Sequence, residues 1–340
     1  MNLQLIILRI YFKFISFFSS RAAALLAFKL FQKVRVKSIR DREKDFFEKA
    51  HQFKVPSKGE DLLCYELCTE NKNLVFLLHG WESNPGSLSK IAYTLSGNNF
   101  RVISFGLPGH LGYKSNHTNL YECKEAFKSV IKHINPKKPF NVVAHSFGSA
   151  VTTYTLSKEK YLINNMIFLT SPNSILDIFI YFKNLIKLSD RSFNLLLDKA
   201  KNVLNKEVKH LNIDEEIKFI SFSKLLLIHD QYDKVIPYKN SKSIALKNPT
   251  KTKLIKHQNL GHYKMLWNDD VINDINFISS SILRSLISLF STFLALFKSK
   301  ENEVSDNLIS FLNSIKISKI ELGDVRKIIL LIGYFSFEKV

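Results

Sequence analysis

A serine flanked by small residues is the most chemically informative feature of the sequence. Ser146 follows a short apolar run, within the stretch Ala144-His145-Ser146-Phe147-Gly148. Small residues two positions to either side allow a strand to turn sharply into a helix, and a serine at such a corner presents its hydroxyl beyond the sheet edge. A serine hydroxyl becomes a nucleophile when a neighbouring base removes its proton. The alternative for Ser146 is an ordinary helix N-cap.

Candidates for a base and an acid follow Ser146 in the chain. Asp230 and Asp233 follow one apolar run, and His262 follows Gly261 after the next. The order serine, aspartate, histidine is one of the chain orders in which such a triad occurs. A histidine could take the serine proton, and an aspartate could fix the tautomer of that histidine. The residues alone leave both aspartates open as the acid.

The segments around these residues predict a sheet with crossover helices. Short apolar runs alternate with longer helical patterns from about Phe53 onward, which is typical of a mostly parallel, doubly wound α/β sheet. The runs Leu74–Leu78 and Leu225–Ile228 are apolar throughout, as in strands buried on both faces. The predicted strands are Leu62–Leu67, Leu74–Leu78, Arg101–Phe105, Phe140–Ala144, Asn165–Thr170, Lys224–His229 and Lys253–Lys256. The predicted helices are Gly86–Ser96, Leu120–Ile134, Phe147–Ser157, Ser241–Leu246 and Asn268–Ser279.

Residues able to do chemistry follow almost every predicted strand. In open α/β sheets, ligands bind at the carboxyl ends of the strands, so these residues are expected at one edge of the sheet. They are His79-Gly80-Trp81, Gly106-Leu107-Pro108-Gly109-His110, Ser146, Asp230 with Asp233, and Leu260-Gly261-His262.

These motifs, in this order, resemble the α/β-hydrolase superfamily over roughly Phe53 to Ser279, and more locally a group of uncharacterised bacterial members. The resemblance implies that Ser146 is the nucleophile and His262 the general base, then acid. It favours Asp233 over Asp230 as the acid, because Asp233 precedes Ile236-Pro237 where the superfamily places that residue. The superfamily usually has Gly where Ala144 stands, a mild departure because alanine is also small.

The same resemblance implies an oxyanion hole and a reaction class. The backbone N–H groups of Phe147 and Trp81 are the expected oxyanion donors. A serine nucleophile excludes the branches that use aspartate or cysteine at this position. The expectation is a serine hydrolase that cleaves a carboxylic ester through an acyl-enzyme, with a lysophospholipid or acyl thioester as narrower alternatives. The alternative class is a non-catalytic membrane-associated or scaffold protein that retains the hydrolase fold.

Four further histidines lie near strand ends and are predicted to be structural. His79 is expected to order the oxyanion loop, and His145 to turn inward or sideways from the position before the nucleophile. His110 and His229 are likewise expected to have structural roles.

The sequence predicts three regions: a helical extension over 1–50, a hydrolase domain over 51–279 with a helical cap at about 173–222, and an extension of unknown role over 280–340. The helix Leu3–Phe18 would place Arg9 and Lys13 opposite its apolar residues. It is expected either to lie in the plane of a membrane or to pack on protein. Helix is predicted to continue over 21–50. The predicted cap helices are Ile175–Lys187, Asp190–Lys209 and Ile213–Phe222, with an apolar content suited to roofing the site.

Net charge and cysteine content limit the classes of partner and cofactor that the sequence predicts. The net charge is +19, but most of the basic residues are lysine and no nucleic-acid motif accompanies the charge, so nucleic acid is not expected. Few cysteines and no metal-ligand spacing predict no cofactor and no metal. The expected partner is a small ester with an apolar acyl group, and an anionic membrane surface and a second subunit stay open as additional partners. The expected location is cytoplasmic, or peripheral on the inner membrane face.

Overall fold

Eight strands form one sheet in the computed structural model, which describes residues 3–57 and 60–279. Their order across the sheet is β1-β2-β4-β3-β5-β6-β7-β8. Strand β2 pairs antiparallel with β1 and β4, and all other neighbours are parallel. The strands are β1 (His51–Ser57), β2 (Glu60–Leu67), β3 (Asn73–Leu78), β4 (Phe100–Phe105), β5 (Phe140–His145), β6 (Leu162–Leu169), β7 (Ser221–Asp230) and β8 (Thr252–His257).

Each of the seven predicted strands is present, and the predicted α/β fold class is confirmed. Strand β1 was not predicted from the sequence. It is an edge strand that is largely exposed and contains Pro56, so it lacks the apolar alternation that marks a half-buried strand. The predicted extension over 280–340 lies outside the described residues.

The helices lie between the strands as crossovers and form the N-terminal region and the cap. They are α1 (Leu3–Phe18), α2 (Ser20–Phe31), α3 (Asp41–Lys49), α4 (Ser89–Gly97), α5 (Leu120–Ile134), α6 (Phe147–Leu156), α7 (Ile175–Ile186), α8 (Asp190–Leu204), α9 (Ile213–Glu216), α10 (Lys239–Lys247), α11 (Gly261–Lys264) and α12 (Asp269–Ser279). No helix in the described part of the chain is long and apolar enough to span a membrane.

Three helical predictions were wrong in part, and one of them is the second cap helix, which ends at Leu204 and not at Lys209. Continuous helix over 21–50 is interrupted between α2 and α3, where the chain is extended and the N–H of Val34 donates to the carbonyl oxygen of Asn116 at 2.7 Å. The stretch Lys33-Val34-Arg35-Val36-Lys37 alternates charged and apolar residues, which favours extended backbone. The third cap helix ends early, because Ser221 and Phe222 already pair with β6 as the start of β7.

The core fills both faces of the sheet. On one face, Phe76 of β3 contacts Phe127 of α5 and Phe140 of β5 in edge-to-face ring pairs, with centroids 5.5 and 5.1 Å apart. On the other face, Val75 and Leu77 pack with residues of α4 and α12. Successive residues of a strand point to opposite faces, so a strand buried on both sides must be apolar throughout, as Leu74–Leu78 is.

The N-terminal helices pack on the cap. Phe31 at the end of α2 lies against Phe179 and Phe182 of α7, with ring centroids 4.2 and 5.1 Å apart. Ala24 and Ala27 of α2 are fully buried in the same cluster. Part of the apolar content predicted to roof the site therefore packs against α2.

Candidate functional site

Ser146 sits at a strained corner between β5 and α6. Its φ and ψ are 51° and −118°, a conformation that a residue with a side chain rarely adopts. The corner is held because the N–H of Ser146 donates to the carbonyl oxygen of Leu169 at 2.9 Å. Gly148 permits it, since a Cβ there would stand 2.5 Å from the carbonyl oxygen of Leu78. The sequence pattern of small residues around Ser146 thus corresponds to a real steric requirement at Gly148.

A chain of hydrogen bonds joins Ser146, His262 and Asp233. The Ser146 hydroxyl donates to Nε2 of His262 at 3.0 Å, and Nδ1–H of His262 donates to Oδ2 of Asp233 at 2.7 Å. The three residues are less than one-tenth exposed. They come from the ends of β5, β7 and β8, so the carboxyl edge of the sheet brings together residues up to 116 positions apart. This geometry allows a proton to pass from the serine to a histidine whose tautomer is fixed.

Asp233 is held as an anion by its neighbours. Its Oδ1 accepts hydrogen bonds from the N–H groups of Val235 and Ile236 at 2.7 and 3.0 Å. Burial raises the pKa of Asp233. The hydrogen bond and the positive charge of His262, together with the two backbone N–H donors, lower the pKa by more than burial raises it. The net pKa of Asp233 lies below the ordinary aspartate value.

Asp230, the alternative acid, has a different set of partners. Its Oδ1 accepts from the N–H of Tyr232 and its Oδ2 from the N–H of Leu260, both at 2.7 Å. Asp230 therefore ties the loop after β7 to the loop that carries His262. Among the described residues, the carboxylate that reaches His262 is that of Asp233.

The two predicted oxyanion donors belong to residues close to the nucleophile. Phe147 is the first residue of α6, where a backbone N–H has no acceptor within its own helix and the helix dipole favours negative charge. Trp81 follows Gly80, and a Cβ on Gly80 would stand 3.2 Å from Cβ of Ser146. The Trp81 and Phe147 rings contact edge to face at 5.3 Å. In the described ranges 3–57 and 60–279, neither N–H donates to a protein acceptor.

The four other histidines form hydrogen bonds that connect loops. Nε2 of His79 accepts from the N–H of Leu107 at 3.1 Å, and Nδ1–H of His79 donates to the carbonyl oxygen of Gly80 at 2.8 Å. Nε2 of His110 accepts from the N–H of Glu82 at 3.2 Å. Burial lowers the pKa of His79 well below the ordinary histidine value and that of His110 to about 4, so both rings are neutral.

His229 and His145 bind the two loops that carry the triad partners. Nε2–H of His229 donates to the carbonyl oxygen of Ile236 at 2.9 Å, beside Asp233. Nε2–H of His145 donates to the carbonyl oxygen of His262 at 3.0 Å, and the two rings lie 4.8 Å apart. Burial lowers the pKa of His145 to about 3. The sequence placed His145 beside the nucleophile, but its bond to the backbone of His262 has no sequence signal.

The N-terminal extension also reaches the oxyanion loop, which the sequence did not predict. The backbone N–H of Arg35 donates to Oε1 of Glu82 at 3.0 Å, and the guanidinium of Arg35 pairs with the same carboxylate at 2.7 Å. Glu82 directly follows Trp81. Nζ of Lys37 donates to the carbonyl oxygen of Tyr113, in the loop after β4, at 2.8 Å. Residues before β1 therefore support two loops at the site edge.

No metal-binding cluster is found where the structure describes the chain: no three histidine, cysteine, aspartate or glutamate side chains converge there in a way that could hold an ion.

Comparison with known proteins agrees with the architecture of the sheet and site. A family model described as alpha/beta hydrolase fold matches residues 73–187, the part that contains β3 to β6 and Ser146. The chain has the α/β-hydrolase fold. The predicted resemblance to the α/β-hydrolase superfamily is thereby confirmed. No curated protein sequence matches the chain.

Several solved α/β-hydrolase structures resemble this chain in fold. Esterase Pf2001 of Pyrococcus furiosus is 15% identical with a TM-score of 0.55, over 72% of this chain and 95% of that one. Est1E of Butyrivibrio proteoclasticus, with ferulic acid bound, is 14% identical with a TM-score of 0.56, over 69% and 99% of the two chains. Alpha/beta hydrolase domain-containing protein 10 from mouse is 13% identical with a TM-score of 0.53, over 70% and 100%.

Proposed function

We propose that the protein is a serine hydrolase that cleaves a carboxylic ester through an acyl-enzyme intermediate. The observation that carries the proposal is the hydrogen-bonded chain from Ser146 through His262 to Asp233, with the serine on a strained corner. A helix N-cap, the alternative for Ser146, requires neither this backbone strain nor a histidine at 3.0 Å. Esterases of the same fold support the reaction class.

Acylation would use all five predicted residues. His262 takes the hydroxyl proton through Nε2 while Oγ of Ser146 attacks the ester carbonyl, and Asp233 stabilises the imidazolium that forms. The carbonyl oxygen becomes an anion held by the N–H groups of Phe147 and Trp81. His262 then gives its proton to the departing alcohol. Each oxyanion donor is expected to contribute on the order of 10²–10³ in rate.

Deacylation repeats the same steps with water as the nucleophile. His262 removes a proton from water as the water oxygen attacks the acyl carbon, and the tetrahedral intermediate then collapses while the imidazolium of His262 returns that proton to Oγ of Ser146 and the acid leaves. Because Asp233 stays anionic throughout, its function is to orient and stabilise His262. The three residues act as a unit, so the effects of their substitutions are not additive.

We further propose an apolar acyl group in the substrate. The side chains next to both oxyanion donors, Trp81 and Phe147, are aromatic and pack edge to face beside Ser146. Such a surface favours a hydrocarbon over a charged group. Lysophospholipids and acyl thioesters are the two narrower classes that share this chemistry.

A fluorophosphonate probe tests the reaction class directly, because it forms a covalent bond with an activated serine. We expect labelling of the folded protein, loss of labelling in Ser146→Ala, and unchanged labelling in the control Ser96→Ala, whose hydroxyl lies on α4 away from the triad. Folding of both variants is checked by circular dichroism. An unlabelled native protein would refute the proposal and favour the non-catalytic alternative.

A substrate panel then tests the acyl group. We expect p-nitrophenyl esters of increasing acyl length to be hydrolysed with rising kcat/KM, and Ser146→Ala to lose at least about 10⁴-fold in kcat. Lysophospholipid and acyl thioester substrates run in parallel would separate the narrower classes. Preference for the shortest, acetyl ester would contradict the apolar acyl group while leaving the reaction class intact.

A further inference from the structure

Helix α1 packs on the protein through a side that carries Arg9, Ser16 and the buried Phe12. Nε of Arg9 donates to the carbonyl oxygen of Leu185 at the end of α7 at 2.9 Å. The hydroxyl of Ser16 accepts a hydrogen bond from Ser192 of α8 at 3.3 Å. Phe12, on the same inward side, is fully buried in the core cluster. These contacts fix the rotation of α1 about its own axis.

The opposite side of α1, called here the outer face, is apolar and exposed. Its side chains range from 45% exposed at Tyr11 to 84% at Phe17. They recur at the three- and four-residue spacing that places side chains on one side of a helix. The outer face consists of Leu3, Ile7, Ile10, Tyr11, Phe14, Phe17 and Phe18.

An exposed apolar surface of this extent calls for a partner. Single exposed apolar residues are ordinary, but a contiguous stripe of seven along one helix is typical of a contact site. A 16-residue helix is about 24 Å long, so the stripe runs along a surface and is too short to cross a bilayer.

The basic residues of the N-terminal segment favour an anionic partner. The first forty residues of the chain contain no aspartate or glutamate. They contain eight basic residues, namely Arg9, Lys13, Arg21, Lys29, Lys33, Arg35, Lys37 and Arg40. Among these, Lys13 on α1 and Arg21 and Lys29 on α2 are exposed. A basic region of this kind is attracted to an anionic surface, and lysine and arginine stems can extend along an apolar interface toward lipid headgroups.

We propose that the outer face of α1 docks in the plane of an anionic lipid bilayer. Phenylalanine and isoleucine side chains would enter the boundary between headgroups and acyl chains, and the neighbouring basic residues would contact the anionic headgroups. A second copy of the chain is disfavoured as the partner, because a two-fold contact would bring the acid-free, basic segment against itself. The proposal does not depend on the function proposed for Ser146.

Vesicle flotation of the full chain tests the proposal. We expect the protein to float with vesicles of phosphatidylglycerol and phosphatidylcholine and to float less with phosphatidylcholine alone. The double variant Phe14→Ser with Phe17→Ser should reduce binding at least tenfold. The matched control is Phe219→Ser with Leu246→Ser, which removes two equally exposed apolar side chains, 68% and 69% exposed, from another part of the molecule. The control should bind as the native chain does.

A charge variant separates the two contributions. Lys13→Gln with Arg21→Gln should weaken binding to the anionic vesicles several-fold and leave the weak binding to phosphatidylcholine unchanged, because its effect is electrostatic. Binding of the native chain should fall as salt is raised from 0.05 to 0.5 M. Vesicle binding that is identical in the Phe14, Phe17 variant and the control would overturn the proposal.

Two other occupants of the outer face are outcomes of the same experiments. A native dimer in sedimentation velocity that Phe14→Ser with Phe17→Ser converts to monomer, without vesicle binding, would assign the face to a second copy. A fluorophore attached at Phe17→Cys, in a Cys68→Ser background, reports whether the 280–340 segment covers the face. Shielding of that fluorophore from an aqueous quencher without vesicles, together with no flotation, would assign the face to that segment. Either result overturns the membrane proposal.

Discussion

Asp230 and Asp233 lie three positions apart at the end of β7, and the structure gives them different partners. Asp233 accepts from His262 and from two backbone N–H groups of its own loop, whereas Asp230 joins that loop to Leu260. Both are buried carboxylates with hydrogen-bond donors around them. Their effects on catalysis should therefore differ much more than their effects on stability.

We expect Asp233→Asn to lower kcat by about 10³–10⁴, because an amide cannot stabilise the imidazolium and selects the wrong tautomer of His262. Asp230→Asn should change kcat less than about tenfold and lower the free energy of unfolding by about 1–3 kcal/mol, since it weakens two buried hydrogen bonds. Steady-state kinetics and urea denaturation of both variants measure these effects. A larger loss of kcat in Asp230→Asn would show that the acid has been assigned to the wrong residue.

At the scale of residues, the sequence predicted the types and chain order of the site residues well. It predicted the hydrogen bonds between loops poorly. The strand ends were sufficient to predict that Ser146, His262 and the two aspartates lie at one edge, because parallel strands deliver their carboxyl ends there, whereas the choice of Asp233 depended on the family resemblance. The bond between His145 and the backbone of His262 joins residues 117 positions apart, and it depends on how two loops meet in space. No local pattern encodes such a contact.

At the scale of elements, the approach of α6 to β3 is set by Gly148. A Cβ there would lie within 2.9 Å of three backbone atoms of Leu78 and His79, which cannot move without disturbing the sheet. Gly97, at the last residue of α4, has no atom within 4 Å of its hypothetical Cβ. The two glycines thus form a matched pair, one sterically required and one not.

We expect Gly148→Ala to lower the free energy of unfolding by about 1–3 kcal/mol through overpacking and to reduce activity by displacing Ser146. Gly97→Ala should leave activity unchanged and stabilise the protein by about 0.5–1 kcal/mol, since alanine has the higher helix propensity. Urea denaturation and ester hydrolysis of the two variants test this. Equal stability of both variants would show that the helix can shift away from the sheet.

Buried elements were predictable and exposed ones were less so. Every strand with an apolar run was found, because a strand buried on both faces leaves a continuous signal. Strand β1 is mostly exposed and was missed, and the extended segment after α2 was read as helix. The end of the third cap helix was also misplaced, because the pairing of Ser221 with Leu162 is a tertiary interaction.

At the scale of the whole molecule, several neutral histidines are buried in the hydrolase domain. Burial lowers the pKa of His145 to about 3 and that of His110 to about 4, and it places the pKa of His79 well below the ordinary value of 6.5. In the unfolded chain these side chains bind protons near pH 6.5. Between that pH and about 4 the unfolded chain holds more protons than the folded one, so stability falls as the pH falls.

We expect each of these three histidines to remove about 1.4 kcal/mol of stability per pH unit below pH 6.5. Asp233 acts at lower pH, because its depressed pKa makes its stabilising contribution disappear only below the unfolded value near 3.8. Urea denaturation at pH 7, 6 and 5 measures the slope. His145→Gln should reduce the slope of unfolding free energy against pH by the equivalent of about one proton. The exposed control His133→Gln should leave that slope unchanged. Equal slopes would contradict the buried neutral state of His145.

The orientation of α1 also belongs to this scale. The sequence predicted its boundaries, Leu3 to Phe18, and its two unlike sides. It could not show which side faces the protein, because periodicity reports that two faces differ and not where the rest of the molecule lies. The side that packs carries the buried Phe12 together with Arg9 and Ser16, and Leu185 and Ser192 present a carbonyl and a hydroxyl to these two polar residues.

The contacts that hold α1 have a consequence for the order in which the protein folds. Arg9 and Ser16 each bond to a residue 176 positions further along the chain. At roughly 5–20 residues per second, a ribosome needs about 9–35 s to add those residues. An isolated 16-residue helix is marginally stable in water, and α1 is made before the partners that hold it, so it acquires its native contacts late. During that interval the side of α1 that later packs on α7 and α8 has no partner.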